Sequence, residues 1–69
     1  MNNRRFQWIC QRIEMGRVVE DEVGYAGSQS EAISACGQYS YDGWRTRVFD
    51  MEQKQGDRFL CVYESELEN

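Results

Sequence analysis

The chain has no histidine among its 69 residues, and that absence removes much of the acid–base and metal chemistry open to a small domain. A serine or cysteine nucleophile lacks its usual base. The cysteines, Cys10, Cys36 and Cys61, are three and widely spaced, with no imidazole to complete a zinc site. They suit small buried hydrophobes, and no intramolecular disulfide is expected. No glycine-rich phosphate loop and no Gly-x-Ser-x-Gly elbow occurs. There is also no apolar run of secretory or membrane-spanning length and no lipidation motif. These absences lead to the expectation of a cytoplasmic, non-enzymatic protein with no cofactor, no metal and no membrane contact.

What remains is a chain long enough for one domain, 1–69, with short flexible ends at 1–4 and 65–69. At this size folding buries only roughly 60% of the unfolded surface. The nine aromatic residues therefore matter, since each can bury on the order of 150–250 Å². Eight basic and twelve acidic residues leave a formal charge of −4, which argues against coating nucleic acid through bulk charge. The charge is unevenly spread. Residues 1–17 carry Arg4, Arg5, Arg12 and Arg17 against Glu14, whereas residues 51–69 are mainly acidic.

Hydrophobic periodicity outlines four strands and a helix. Arg5 to Met15 reads as a strand with apolar groups on both phases, Phe6, Trp8 and Cys10 on one, Ile9, Ile13 and Met15 on the other. It is therefore central or bulged, with its inward face undetermined. After a turn at Gly16-Arg17, Val18 to Tyr25 forms a second strand whose Glu20, Asp21 and Glu22 suit a solvated edge. The alternative is a metal-binding or nucleic-acid-mimicking acidic patch. Ser28 and Glu31 have capping-box spacing. They open a helix expected to reach about Tyr39, with Ala32, Ile33 and Cys36 facing the sheet and Gly37 allowing close approach near its end. Gly43 to Asp50 is a strand after a turn at Tyr41-Asp42-Gly43, residues 52–57 a polar loop, Arg58 to Tyr63 a strand, and Glu64 onward an acidic tail.

The helix returns the chain so that the second and third strands run in the same direction with the first between them. The fold expected is α+β, ββαββ, a four-stranded antiparallel sheet of order 2-1-3-4 with one helix on one face. The other face has no covering element. Period-two alternation puts Arg45, Arg47 and Phe49 on that open face, and Phe59 and Tyr63 from the next strand beside them. Arginine and aromatics are the groups enriched where interfaces carry most binding energy. The competing interpretation is that the arginines lie along the rings and shield them from water. The acids at 20, 21 and 22 form a secondary candidate. Being adjacent, they alternate between faces and do not converge as an acid–base pair.

The layout from Trp8 to Glu64, with Ser30-Glu31-Ala32 in a serine-capped helix, an arginine–hydrophobic strand ending at Asp50, a glycine loop and Leu60-Cys61-Val62-Tyr63-Glu64, resembles small phage anti-CRISPR proteins of the type I class. That resemblance implies a phage or mobile-element inhibitor that binds a host guide-RNA surveillance complex stoichiometrically, often where nucleic acid is received. Two alternatives stay open. The same face could serve a small nucleic-acid-binding module, with arginines on phosphates and an aromatic stacked on a base. It could also form the contact of an accessory homodimer.

Overall fold

A strand with large apolar groups on both phases can satisfy both only inside a sheet. The computed structural model, which describes residues 3–39 and 43–66, places that strand there. The elements are β1 (Phe6–Glu14), β2 (Arg17–Ala26), α1 (Gln29–Cys36), β3 (Trp44–Gln55) and β4 (Arg58–Glu66). They form one four-stranded sheet of order β2-β1-β3-β4 in which every neighbouring pair is antiparallel. This is the α+β ββαββ arrangement expected from the sequence, with β1 and β3 central and the acid-bearing β2 at an edge.

Helix α1 starts where its cap lies: Ser28 is extended, and its hydroxyl accepts the Glu31 N–H at 3.2 Å. The helix then presents two small side chains, Ala32 and Cys36, which are fully buried with Phe6, Cys10 and Val48. Ile33 and Tyr39 pack at the margin of this core. After Cys36 the chain tightens into a 3-10 turn, Gly37–Tyr39. Gly37 itself is exposed, and a Cβ there would meet nothing, so close approach to the sheet is not what it provides. Beneath this end, Tyr39 stacks on Trp8 at 6.1 Å between ring centres and tilts against Trp44 at 5.2 Å. The inward face of β1 is thus the Phe6, Trp8, Cys10 phase. Cys10 and Cys36 meet in this core although their elements are distant in sequence, and both remain free. Burial, then the neighbouring thiol, pushes Cys10 up to about 12.

Three irregularities set the faces. Val19 is an extra residue in β2, between the Arg12↔Glu20 and Ile13↔Val18 pairs. Val62 is extra in β4, between Val48↔Tyr63 and Phe49↔Cys61. In β3 three residues, Met51, Glu52 and Gln53, are looped out between Asp50↔Leu60 and Lys54↔Phe59. Beyond that bulge the hairpin arm continues to a two-residue turn at Gly56-Asp57, where the sequence had suggested a loop over 52–57. Polar residues suffice for this arm because it extends past the helix-covered core. β4 also runs on to Glu66, with Ser65 opposite Thr46, so residues 64–66, expected as part of an acidic tail, belong to the sheet. Tyr41 and Asp42, assigned to a turn, and residues 1–2 and 67–69 of the expected flexible ends lie outside the described residues.

The β1–β2 turn uses Met15 and Gly16, both with positive φ, 52° and 76°, and Met15 is fully exposed. A two-residue turn with both φ positive matches the strand twist but disfavours a side chain such as methionine. Met15→Asn should therefore raise stability by up to about 1 kcal/mol, read as a higher denaturant midpoint with unchanged slope. In β2, Gly24 lies under the Trp8 indole, and a Cβ there would come within 2.2 Å of the ring. Gly24→Ala should displace Trp8 from Tyr39 and cost roughly 1–3 kcal/mol. A midpoint equal to the parent's would show that the indole has room to move.

Candidate functional site

The face turned away from α1 is built by register. Arg45, Arg47 and Phe49 of β3 lie opposite Gln11, Ile9 and Gln7 of β1. These in turn lie opposite Asp21, Val23 and Tyr25 of β2. The pairings make three rows across the sheet, with Val18 and Ile13 adding a short fourth. Several large apolar side chains are left in water: Val18 is 49% exposed, Val23 48%, Tyr25 42% and Phe59 40%. Ile9, Ile13 and Phe49 are half-buried among them.

Arg45 and Arg47 converge on one acceptor. Each donates from Nη2 to Gln11 Oε1, at 2.8 and 3.2 Å, so a single neutral amide positions two guanidinium groups. Arg47 also lies over the Phe49 ring, 5.7 Å from its centre. That contact is the shielding arrangement anticipated as the alternative to a binding role, and Arg4 over Tyr25 at 4.3 Å and Lys54 over Phe59 at 5.5 Å repeat it on the same face. The ion pairs among the described residues belong to Arg5, with Asp50 and Glu52, and to Arg12, with Glu14 and Glu20. None of them reaches Arg45, Arg47, Lys54 or Arg58.

Of the five residues singled out from the sequence, four meet on this face. Arg45, Arg47 and Phe49 follow one another along β3, and Phe59 joins Phe49 in lining a groove of about 560 Å³ that also involves Ile9, Cys61, Lys54, Asp57 and Arg58. Tyr63 does not belong to it. The extra residue at Val62 shifts the phase of β4, so Tyr63 pairs with Val48 and packs against the helix-covered core. The acids of the β2 edge separate as their adjacency requires. Glu20 binds Arg12 at 2.7 Å and Glu22 lies opposite Cys10, on the helix side, while Asp21 alone shares the open face. Sequence reasoning missed Gln11, Lys54 and Arg58. Gln11 shares the phase of Ile9 in β1, but only the β1–β3 register brings it to the arginines. Lys54 and Arg58 lay in or beside what read as a loop.

The groove is lined by β1, β3 and the hairpin arm beyond the three looped-out residues, and a buried carboxylate lies at the base of that arm. Asp50 is 1% exposed. It accepts Arg5 Nε at 2.9 Å and Nη2 at 2.8 Å, the Glu52 N–H at 3.0 Å and Gln53 Nε2 at 2.7 Å, while Met51 N–H donates to the Arg5 carbonyl at 2.8 Å. The three looped-out residues are thereby tied to the lead-in of β1. Among the described residues no three acidic or thiol groups gather where a metal could sit, and no helix is long and apolar enough to cross a membrane. No protein-family model, curated protein or solved structure matches the chain.

The Arg5 guanidinium, then the Glu52 N–H and Gln53 amide, hold the Asp50 carboxyl well below the usual carboxylate range against the opposing effect of burial. A folded-state value below the unfolded one stabilises the fold above the unfolded value, about 3.9, and that stability is lost as pH falls through it towards the lower folded value. The melting temperature should thus decline below about pH 4. Asp50→Asn should melt lower at pH 7 and converge on the parent at low pH. An equal gap between the two chains at pH 7 and pH 3 would remove Asp50 from this role.

Proposed function

We propose that this chain is a non-enzymatic interaction protein, encoded by a phage or mobile element, that binds and inhibits a host defence complex in the cytoplasm, as type I anti-CRISPR proteins do. The observation that carries the proposal is the uncovered sheet face, where exposed valines and aromatics surround arginines that no carboxylate of the described residues pairs. Large apolar groups gathered on one uncovered face, rather than scattered singly, favour an interaction surface, and arginine and aromatics are the residues enriched at interface centres. Inhibition follows by occupancy: a rigid sheet seated on a functional surface excludes whatever that surface receives.

A nucleic-acid partner fits less well, because the net charge is −4 and Asp21 stands in the same row as Arg45. The homodimer alternative has a comparable difficulty: a two-fold axis over β3 would stack Arg45 and Arg47 on the same arginines of the other copy.

The test is capture of the guide-RNA surveillance complex from a host lysate on the immobilised chain, repeated with Arg45→Gln/Arg47→Gln. Neutral replacements are needed because β4 sets Glu64 opposite Arg47, where a reversed charge would repel across the strands. The variant should melt within about 1 kcal/mol of the parent while its affinity for the complex falls by about 2 kcal/mol or more. Affinity should depend only shallowly on salt, since a steep linear log–log loss would mark released counterions and a nucleic-acid partner. Parental affinity in a folded variant, or no capture, would refute the proposal.

A further inference from the structure

We propose that the groove beneath the β3–β4 hairpin receives an apolar side chain flanked by carboxylates, in an extended acidic segment of the protein partner; this rests on the interaction role proposed above and names the chemistry of its contact. The groove, about 560 Å³, lies within the range of roughly 300–1,000 Å³ usual for ligand clefts. Its apolar lining is Ile9, Phe49, Phe59 and Cys61, and its charged lining is Lys54 and Arg58 with one acid, Asp57, so that the rim is net positive. Neither cation has a carboxylate partner among the ion pairs of the described residues. Arg45 and Arg47 continue the same charge along β3. An apolar floor whose rim carries two cations against the single acid Asp57 complements an apolar side chain with acids on either side.

The rings also discriminate against a nucleobase. Phe49 has the Arg47 guanidinium 5.7 Å from its centre and Phe59 has the Lys54 ammonium at 5.5 Å. A stacking base would compete for those ring faces and displace the cations. An aliphatic or aromatic side chain entering edgewise between the two phenylalanines leaves both cations in place to meet its neighbouring carboxylates. The groove keeps its shape without a ligand because Asp50 ties the looped-out residues to Arg5, so little ordering is required on binding.

The experiment uses the whole chain and two fluorescent, end-blocked peptides that share a central Phe-Leu, one flanked by Glu and Asp, the other by Lys and Arg, with a short oligothymidylate as a third probe. The acidic peptide should bind saturably and at least about tenfold more tightly than the basic one. Lys54→Glu/Arg58→Glu should weaken it by about tenfold or more. Both positions are exposed at the hairpin tip, so the melting curve should hold. Phe59→Asp provides a second variant, expected to lose the peptide by removing the apolar wall. Equal affinity for the two peptides, parental affinity in a folded double variant, or tighter binding of the oligothymidylate would overturn the proposal. A chain that captures the host complex but not the acidic peptide would defeat this inference and leave the interaction role standing. Specific peptide binding by a chain that captures no such complex would support the groove's chemistry and defeat the inhibitor role.

Discussion

The contact on which the rest of the structure depends is the buried Asp50 carboxylate with Arg5. A carboxylate withdrawn from water is unfavourable unless its lone pairs are met. Here two guanidinium donors, a backbone N–H and a side-chain amide meet them. The arrangement has two consequences. It secures the lead-in of β1 to β3 at one end of the core, where Phe6 lies opposite Asp50. It also stabilises a three-residue excess in β3 that would otherwise leave backbone groups unpaired. Asp50 thus ends the helix-covered part of the sheet, and the hairpin arm that continues from it lines the groove on the opposite face.

The two faces of the sheet divide the work. The helix side carries small residues where α1 approaches and an aromatic cluster where the 3-10 turn leaves it, with Gly24 making room for Trp8. This economy suits a chain of 69 residues, in which few side chains can be fully buried. The other side retains Ile9, Ile13, Val18, Val23 and Phe49 without a covering layer. Those residues would add to stability if buried, and leaving them in water is the cost that a binding surface imposes on a small domain.

Gln11 shows how a neutral residue can shape a charged surface. Two arginines one row apart on the same face repel, and a carboxylate between them would neutralise the surface. An amide oxygen accepts from both while leaving the charge available to a partner. Arg12 and Arg5, on or beside the helix side, are instead satisfied by carboxylates within the chain. The difference between paired and unpaired cations therefore follows the difference between the two faces.

Alternation and capping in the sequence determined the four strands, the helix start at Ser28, the order β2-β1-β3-β4 and the placement of Arg45, Arg47 and Phe49 together, because these depend on local period and on a short connection rule. Tertiary structure decided what local period cannot carry. The insertion of Val62 turned Tyr63 from the open face to the core, since one extra residue reverses every side chain beyond it. The register of β1 against β3 brought Gln11 to the arginines. The burial of Asp50, a polar residue that read as the end of a strand, extended the hairpin and drew Lys54, Arg58 and Phe59 into a groove with Ile9. Proximity of Cys10 to Cys36 arose in the same way, from packing between elements far apart in the chain. Each of these rests on contacts between segments whose relative placement is an energy balance over the whole core, which no short window of residues contains.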